Sequence, residues 1–331
     1  MRDIVVNGRF LARRVTGVER YGREILRFFT NSSRVESTHH QGWTGHTWEQ
    51  FILPAKLGPQ SILWSPANTG PLIIHNHVLT IHDLSPLEHP QWFQASFAAW
   101  YRLFLPILAR RVRKVFTPSE YVKHKVMKRF GIRNVIVTPN GVNQSIFHPA
   151  AKQSTFDLPE CYVLFVGTLE PRKNLNLLIH AWNEVKDDFK EAWLIIVGVG
   201  RSMFRSIHLS HDRERVCLPG YVDDQTLAAL YANATLFVLP SQDEGFGLPA
   251  LEAMASGTPV IVSDGGALPE VVGEAGLIFC LSDSFGLKNT LKECLSNAKL
   301  RCELREKGLT RAKDFSWQAT AELVWKNLHE I

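Results

Sequence analysis

The feature that most constrains this chain is a strict alternation of short apolar runs and helical stretches along its second half. Residues 162–167, 193–198, 215–218, 235–239, 259–263 and 277–281 read as short strands. Residues 175–189, 226–233, 249–256, 285–297, 299–313 and 316–329 read as helices. An apolar run without polar alternation marks a strand covered on both faces. Strands that take turns with helices in this way predict a parallel sheet flanked by helices. The first half carries the pattern more loosely, with strands at 3–6, 61–64, 78–81, 114–117 and 134–137. There Val18, Tyr21, Ile25 and Phe28 fall on one face of a helix whose other faces carry Arg20, Arg23, Glu24 and Arg27. Residues 31–60 show no clear period and are expected to form a variable loop region. Pro149, Ser154 and Pro159 interrupt the pattern between the halves.

Two domains suit the 331 residues, since a domain averages about 150. With 45% hydrophobic and 21% charged residues, the composition excludes a disordered chain, a collagen-like repeat and a disulfide scaffold. The five cysteines include no Cys-x-x-Cys pair, which speaks against structural zinc and for a reducing compartment. The opening Met1-Arg2-Asp3 is not followed by a signal-peptide core, and no run approaches a membrane span. A cytoplasmic location is the expectation. The charge is asymmetric: residues 1–150 sum to +11 and residues 151–331 to −6. A basic half joined to an acidic half suggests two tasks.

No dinucleotide glycine motif follows the first strand, and no Walker loop, zincin helix or nucleophile elbow is present. This weighs against dehydrogenases, ATPases, metalloproteases and hydrolases. Gly198-Val199-Gly200 lacks a third glycine and reads as a tight turn. Two other segments carry chemistry. Gly167-Thr168-Leu169-Glu170-Pro171-Arg172-Lys173-Asn174 closes a strand and opens a helix. A glycine there allows close backbone approach, a helix N-terminus favours anions, and two cations suit a phosphate or pyrophosphate. Taken alone, an exposed basic pair is the plainer reading. The second segment runs from Pro240 to Met254, a glycine loop feeding a helix. Glu244 in the loop and Glu252 on the helix flank amides near Gly247 and Leu248, a place for a diphosphate and sugar hydroxyls.

The block Glu244-Gly245-Phe246-Gly247-Leu248-Pro249, followed by Glu252, resembles the Glu-x7-Glu signature of the retaining glycosyltransferases of family 4. The upstream Gly167–Asn174 segment is similar to that family's donor-phosphate segment. Gly257-Thr258-Pro259, Gly265-Gly266-Ala267-Leu268-Pro269-Glu270 and Asp314-Phe315-Ser316-Trp317 also match in order. The likeness covers 156–331 closely. It is looser over 1–150, at Thr16-Gly17-Val18, Ile81-His82-Asp83-Leu84, Thr117-Pro118-Ser119 and Pro139-Asn140-Gly141-Val142.

The resemblance implies an α/β GT-B fold: two Rossmann-like doubly wound domains with an interdomain cleft. Residues 1–150 would bind acceptor, 151–313 the nucleotide sugar, and 314–331 would form a helix crossing back to the first domain. By the same resemblance Arg172 and Lys173 bind the donor pyrophosphate, Glu244 contacts the donor sugar and Glu252 holds the ribose hydroxyls. Leu248 would pack on the ribose, Gly167 and Gly245 to Gly247 would give backbone contacts, and Tyr221 and Val222 would read the base. Gly17 would approach the diphosphate. His82 would face the reacting carbon, the alternative being a satisfied core histidine. The implied reaction retains anomeric configuration by front-side attack, with double displacement through Glu244 as the alternative. No Asp-x-Asp motif is present, and neither a divalent metal nor another cofactor is expected.

The implied donor is GDP-mannose, in the manner of bacterial polysaccharide and lipopolysaccharide mannosyltransferases, with UDP-glucose, other UDP-hexoses and dTDP-rhamnose left open. The acceptor would be a saccharide or a lipid-linked saccharide. A non-catalytic nucleotide-sugar-binding protein is the alternative of another class. Residues 102–133 hold ten Lys and Arg against one acid, Glu120, just after Trp92, Phe93, Phe97, Trp100, Tyr101 and Phe104. Residues 91–133 are therefore expected either to dock on the anionic inner face of the membrane or to bury an amphipathic helix. Nucleic acid is not expected, because no recognition motif accompanies the basic run.

Overall fold

The computed structural model describes residues 3–13, 15–29, 33–40, 42–151, 157–200, 203 and 214–331. They fall into two units. One comprises Met1–Glu88, Ser96–Gly141 and Ser316–Ile331, the other His89–Ala95 and Val142–Phe315.

The first unit is built on strands β1 (Ile4–Asn7), β2 (Ser33–Glu36), β3 (Ile62–Ser65), β4 (His77–Thr80), β5 (Lys114–Thr117) and β6 (Val135–Val137). They form one parallel sheet in the order β2-β1-β3-β4-β5-β6. Every residue of β1, β3, β4 and β5 is buried, so these strands read as short apolar runs, bounded by buried polar residues such as His77, bonded to Ser65 at 2.9 Å. The helix Gly17–Leu26 buries Tyr21 and Ile25, but it stops at Leu26 and leaves Phe28 exposed. Phe28 thus does not share the buried face expected of it.

The described residues between 31 and 60 are not a loop region. They contain β2, an edge strand with no fully buried residue, and a helical run from Gly42 to Ala55. That run includes a π-turn at Trp48–Ile52, which shifts the helical period and hides it from a 3.6-residue pattern. Of the aromatics ahead of the basic stretch, Tyr101 and Phe104 are buried in this unit and Phe97 and Trp100 pack against its core; Trp92 and Phe93, which fall in the second unit, are buried too.

The C-terminal helix Trp317–His329 belongs to the first unit. The Thr320 hydroxyl donates to the Pro139 carbonyl at 2.6 Å. The buried Lys114 ammonium donates to the Asn327 side chain at 2.8 Å. A Cβ on Gly141 would lie 2.2 Å from the Trp317 amide nitrogen, so only glycine lets the two segments cross there.

The second unit holds β7 (Cys161–Val166), β8 (Ala192–Val197), β9 (Val216–Gly220), β10 (Leu236–Leu239), β11 (Val260–Ser263) and β12 (Leu277–Phe279). Their order is β12-β11-β10-β7-β8-β9, again all parallel. The chain runs outward from β7 in one direction, then returns and runs outward from β10 in the other. The order therefore reverses between β7 and β10, and in such sheets ligands bind outside the carboxyl ends of the strands at that reversal. Among the described residues no helix is long and apolar enough to cross a membrane.

Candidate functional site

The two chemistry-bearing segments leave the two strands that flank the reversal. The first follows β7 through Gly167 into a single 3-10 turn, Pro171–Lys173, which Asn174 closes in the left-handed region at φ 54°. The second follows β10 into a loop that ends at Gly247, the cap of the helix Leu248–Ala255. The Gln242 amide donates to the Arg172 carbonyl at 2.8 Å and stitches the loops together.

Four charged side chains meet there. Arg172 donates from Nε and Nη2 to Oε1 of Glu170, at 3.0 and 2.7 Å. Its Nη1 donates to Oε2 of Glu244 at 2.8 Å and to the Asp243 carbonyl at 2.9 Å. Lys173 Nζ pairs with Oε1 of Glu244, which also accepts from the Ser241 hydroxyl at 2.7 Å. Lys173, Glu170 and Glu244 are buried, and the Arg172 side chain is 13% exposed. Burial alone pushes the Glu244 carboxyl up. Arg172 and Lys173, with hydrogen bonds from Lys173 and Ser241, outweigh it and bring the group down to about 2. Glu170 moves the other way, because burial outweighs the nearby Arg172 and Lys173 and raises it. Its Oε2 is buried without a hydrogen-bond partner. The site thus pairs two carboxylates of opposite tendency across one arginine.

Glycines hold the loops close. Gly198, at φ 145°, lies against Gly167 so tightly that a Cβ would stand 1.8 Å from the Gly167 carbonyl oxygen. Gly266, at φ 71°, leaves room for the Glu244 backbone, which a Cβ would approach to 2.3 Å. The Ala267 amide then donates to the Glu244 carbonyl at 2.9 Å. Gly198 and the Gly265-Gly266 pair are thus supports of the site that spacing alone did not reveal. Ser241, Asp243 and Glu170 are further members, visible only once the loops are folded together.

Around this centre Gly245, Phe246, Gly247 and Leu248 are buried, with Phe246 edge-on to Phe315 at 5.6 Å. Glu252 is buried on the helix and accepts from the Tyr231 hydroxyl at 3.2 Å. Tyr221 is exposed and Val222 half-buried just past β9.

Gly17 and His82 belong to the first unit. Gly17 is the exposed first residue of its helix, with nothing within 4 Å of where a Cβ would stand, so the packing does not itself demand glycine. The Thr16 hydroxyl at the N-cap donates to the Glu19 carboxylate. His82 follows β4. Its Nε2 lies 2.7 Å from the Pro66 carbonyl, its amide donates to Asn68 at 2.7 Å, and its ring meets Tyr21 edge-on at 5.0 Å. The imidazole is buried, and burial holds it below the ordinary histidine range. Its ring is engaged by the protein itself.

The family model described as Glycosyl transferases group 1 matches residues 148–311, and that described as Glycosyltransferase Family 4 matches residues 62–145. O-antigen chain mannosyltransferase B of Escherichia coli is 28% identical over 298 residues, covering 86% of this chain and 76% of the relative. Sucrose-phosphate synthase from Thermosynechococcus elongatus superposes with a TM-score of 0.77 at 20% identity, covering 100% of this chain and 99% of the other. HepE of Anabaena, solved with UDP and glucose, superposes with a TM-score of 0.76 at 17% identity over 100% of both chains. The fold of these structures is GT-B, two α/β domains each built on a parallel sheet, as here.

Proposed function

The chain belongs to the family 4 glycosyltransferases, and from that premise we propose that it transfers mannose from GDP-mannose, with retention of configuration, to a saccharide or lipid-linked saccharide in surface polysaccharide assembly. The choice of sugar and pathway is supported by the O-antigen mannosyltransferase relative. The observation that carries the mechanism is the grip of Arg172 and Lys173 on Glu244 beside the sheet reversal.

Bond cleavage at the anomeric carbon builds negative charge on the departing diphosphate. Arg172 and Lys173 stabilise that charge most in the transition state, where it is largest. Two fixed cations do the work that a divalent ion does elsewhere, so no metal is required in this reading. At the start of the helix Leu248–Ala255 the Leu248 amide adds a donor for the phosphates, since Pro249 has no N–H and the Ala250 amide donates to the Gly247 carbonyl. Glu244 orients the donor sugar and Glu252 the ribose. A carboxylate bonded through both oxygens and held near 2 is a weak nucleophile, which favours front-side attack over a covalent intermediate. The leaving phosphate oxygen then takes the acceptor proton.

Thermal shift against GDP, UDP, dTDP and ADP and their hexose conjugates, with and without chelator, tests the assignment. Stabilisation by GDP and GDP-mannose, unchanged by chelator and lost in Arg172→Ala, is expected. Preference for UDP or dTDP reassigns the donor. A response to no nucleotide overturns the donor site. Transfer by Glu244→Gln well above background excludes a covalent intermediate on Glu244.

A further inference from the structure

We propose that Trp43 and His46, at the start of the helical run Gly42–Ala55, form a stacking subsite for one sugar ring of the acceptor saccharide. The subsite rests on the transferase reading and extends it, because the run lies outside residues 62–145 and 148–311, which the family models match. The sheet of the first unit reverses its order between β1 and β3. Asn7 and Ser65 are the last residues of those strands, and the carboxyl ends at such a reversal are where a ligand is expected.

A buried ion pair pins the run to that place. Glu49 is fully buried and accepts from Asn7 at 2.6 Å, from Arg9 Nη1 at 2.9 Å and from Thr69 at 3.0 Å. Arg9 Nη2 donates to the Gly42 carbonyl at 3.1 Å. A Cβ on Gly45 would lie 2.8 Å from Arg9 Nε, so glycine lets the helix rest on the guanidinium. A buried pair adds little net stability over apolar packing; this one holds the start of the run in a single position.

The residues it positions are His46 and Trp43. Arg9 Nη1 lies 2.9 Å from His46 Nδ1. A guanidinium only donates, so Nδ1 accepts and the ring proton sits on Nε2. Burial holds the imidazole below the ordinary histidine range, so the ring is neutral at neutral pH, with one N–H to offer. The Trp43 indole meets the His46 ring at 6.0 Å and Trp100 edge-on at 5.3 Å, and Trp100 stacks on Phe104 at 4.8 Å. The indole is thus braced and still 61% exposed. Arg13, partly exposed, lines the same crevice as Arg9, Glu49 and Thr69. A pyranose has an apolar C–H face and a rim of hydroxyls. The fixed indole suits the face, and the imidazole N–H and the Arg13 guanidinium suit the rim. A purely apolar partner would cover those donors without pairing them, which costs binding.

Saturation-transfer NMR on the whole chain, with α-linked mannobiose, mannotriose and maltotriose as probes, tests the subsite. Binding of a mannose saccharide is expected, with transfer strongest to the C–H protons of one ring. Trp43→Ala should weaken it at least about tenfold, Trp43→Phe should restore most of it, and His46→Ala should cost about fivefold. Phe285→Ala, which removes a 59% exposed ring from the second unit, should bind as the parent does. Melting temperatures of the Trp43 variants should match the parent, since the side chain is exposed. Maltotriose binding with the same dependence on Trp43 also supports the subsite, with glucose as its sugar. Binding of none of the three by the parent, or undiminished binding by Trp43→Ala, overturns the proposal. Nucleotide-induced melting shifts on the same samples report the donor site separately. Intact shifts without sugar binding strike this subsite alone, and absent shifts with Trp43-dependent sugar binding strike the transferase reading alone.

Discussion

Replacing Glu244 with glutamine should destabilise the folded chain by an amount set by the Arg172–Glu244–Lys173 cluster. A carboxyl held near 2, where the ordinary value is 4.5, favours folding by about 3 kcal/mol once ionised in both states. The same range follows from another direction, since removing one partner of a buried ion pair costs about 3–5 kcal/mol. Glutamine keeps the shape and loses the charge, leaving Arg172 and Lys173 without the carboxylate they share. The folded chain holds this proton less tightly than the unfolded chain. The stabilisation is therefore complete above about 4.5 and fades as the pH falls toward about 2. Urea denaturation followed by tryptophan fluorescence, on parent and Glu244→Gln from about pH 7 to about pH 3, measures the difference between them. It should be about 3 kcal/mol at neutral pH and shrink steadily in acid. A difference below about 1 kcal/mol at neutral pH, the size of an exposed pair, or one that does not change with pH, refutes the account of the cluster.

Glu170→Gln should weaken nucleotide binding about tenfold, as Arg172 loses the charged partner that fixes its guanidinium, while the melting temperature holds or rises. An ionised, buried Glu170 with its pKa raised costs stability at pH values above the ordinary carboxylate range, and the amide removes that cost; calorimetric titration and melting curves read the two effects apart. Gly198→Ala should cost on the order of 3 kcal/mol and abolish nucleotide binding, because its methyl would press on the Gly167 carbonyl. Tyr231→Phe should cost about 1 kcal/mol and raise the KM for the nucleotide sugar more than it lowers kcat, because it removes the hydroxyl that meets Glu252.

The parts legible in the sequence share a physical cause. Strands such as β3, β4 and β10 are buried on both faces, so their composition is dictated by the core and readable as runs. The helical run Gly42–Ala55 was not legible because its inward residues include Glu49, which is fully buried. Glu49 is tolerated there because Arg9 donates to it at 2.9 Å and Asn7 at 2.6 Å. A charge buried by a partner some forty positions away looks like surface in any local window. The aromatics before residue 105 left two readings open, a display surface or a buried helix face. Size and position along the chain fit both; the core takes them, and the smaller Leu103 and Ile107 are the residues left outside.

The same distinction holds at the site. Arg172, Lys173, Glu244 and Glu252 announce themselves because their loops keep a recognisable order along the chain. Glu170 sits in the same motif but shows its role only when Arg172 is seen bonded to it through two nitrogens. What converts two motifs some seventy residues apart into one cluster is the strand order, which places β7 and β10 side by side. The Gln242 amide bonded to the Arg172 carbonyl joins their two loops, while Gly198 seats the β7 loop on the loop after β8 and Gly266 seats the β10 loop on the loop after β11, each by backbone contact that a side chain would prevent. The charged residues define what the site can bind. The glycines fix where the loops that carry those residues lie against their neighbours, which is why the cluster depends on positions that bear no charge.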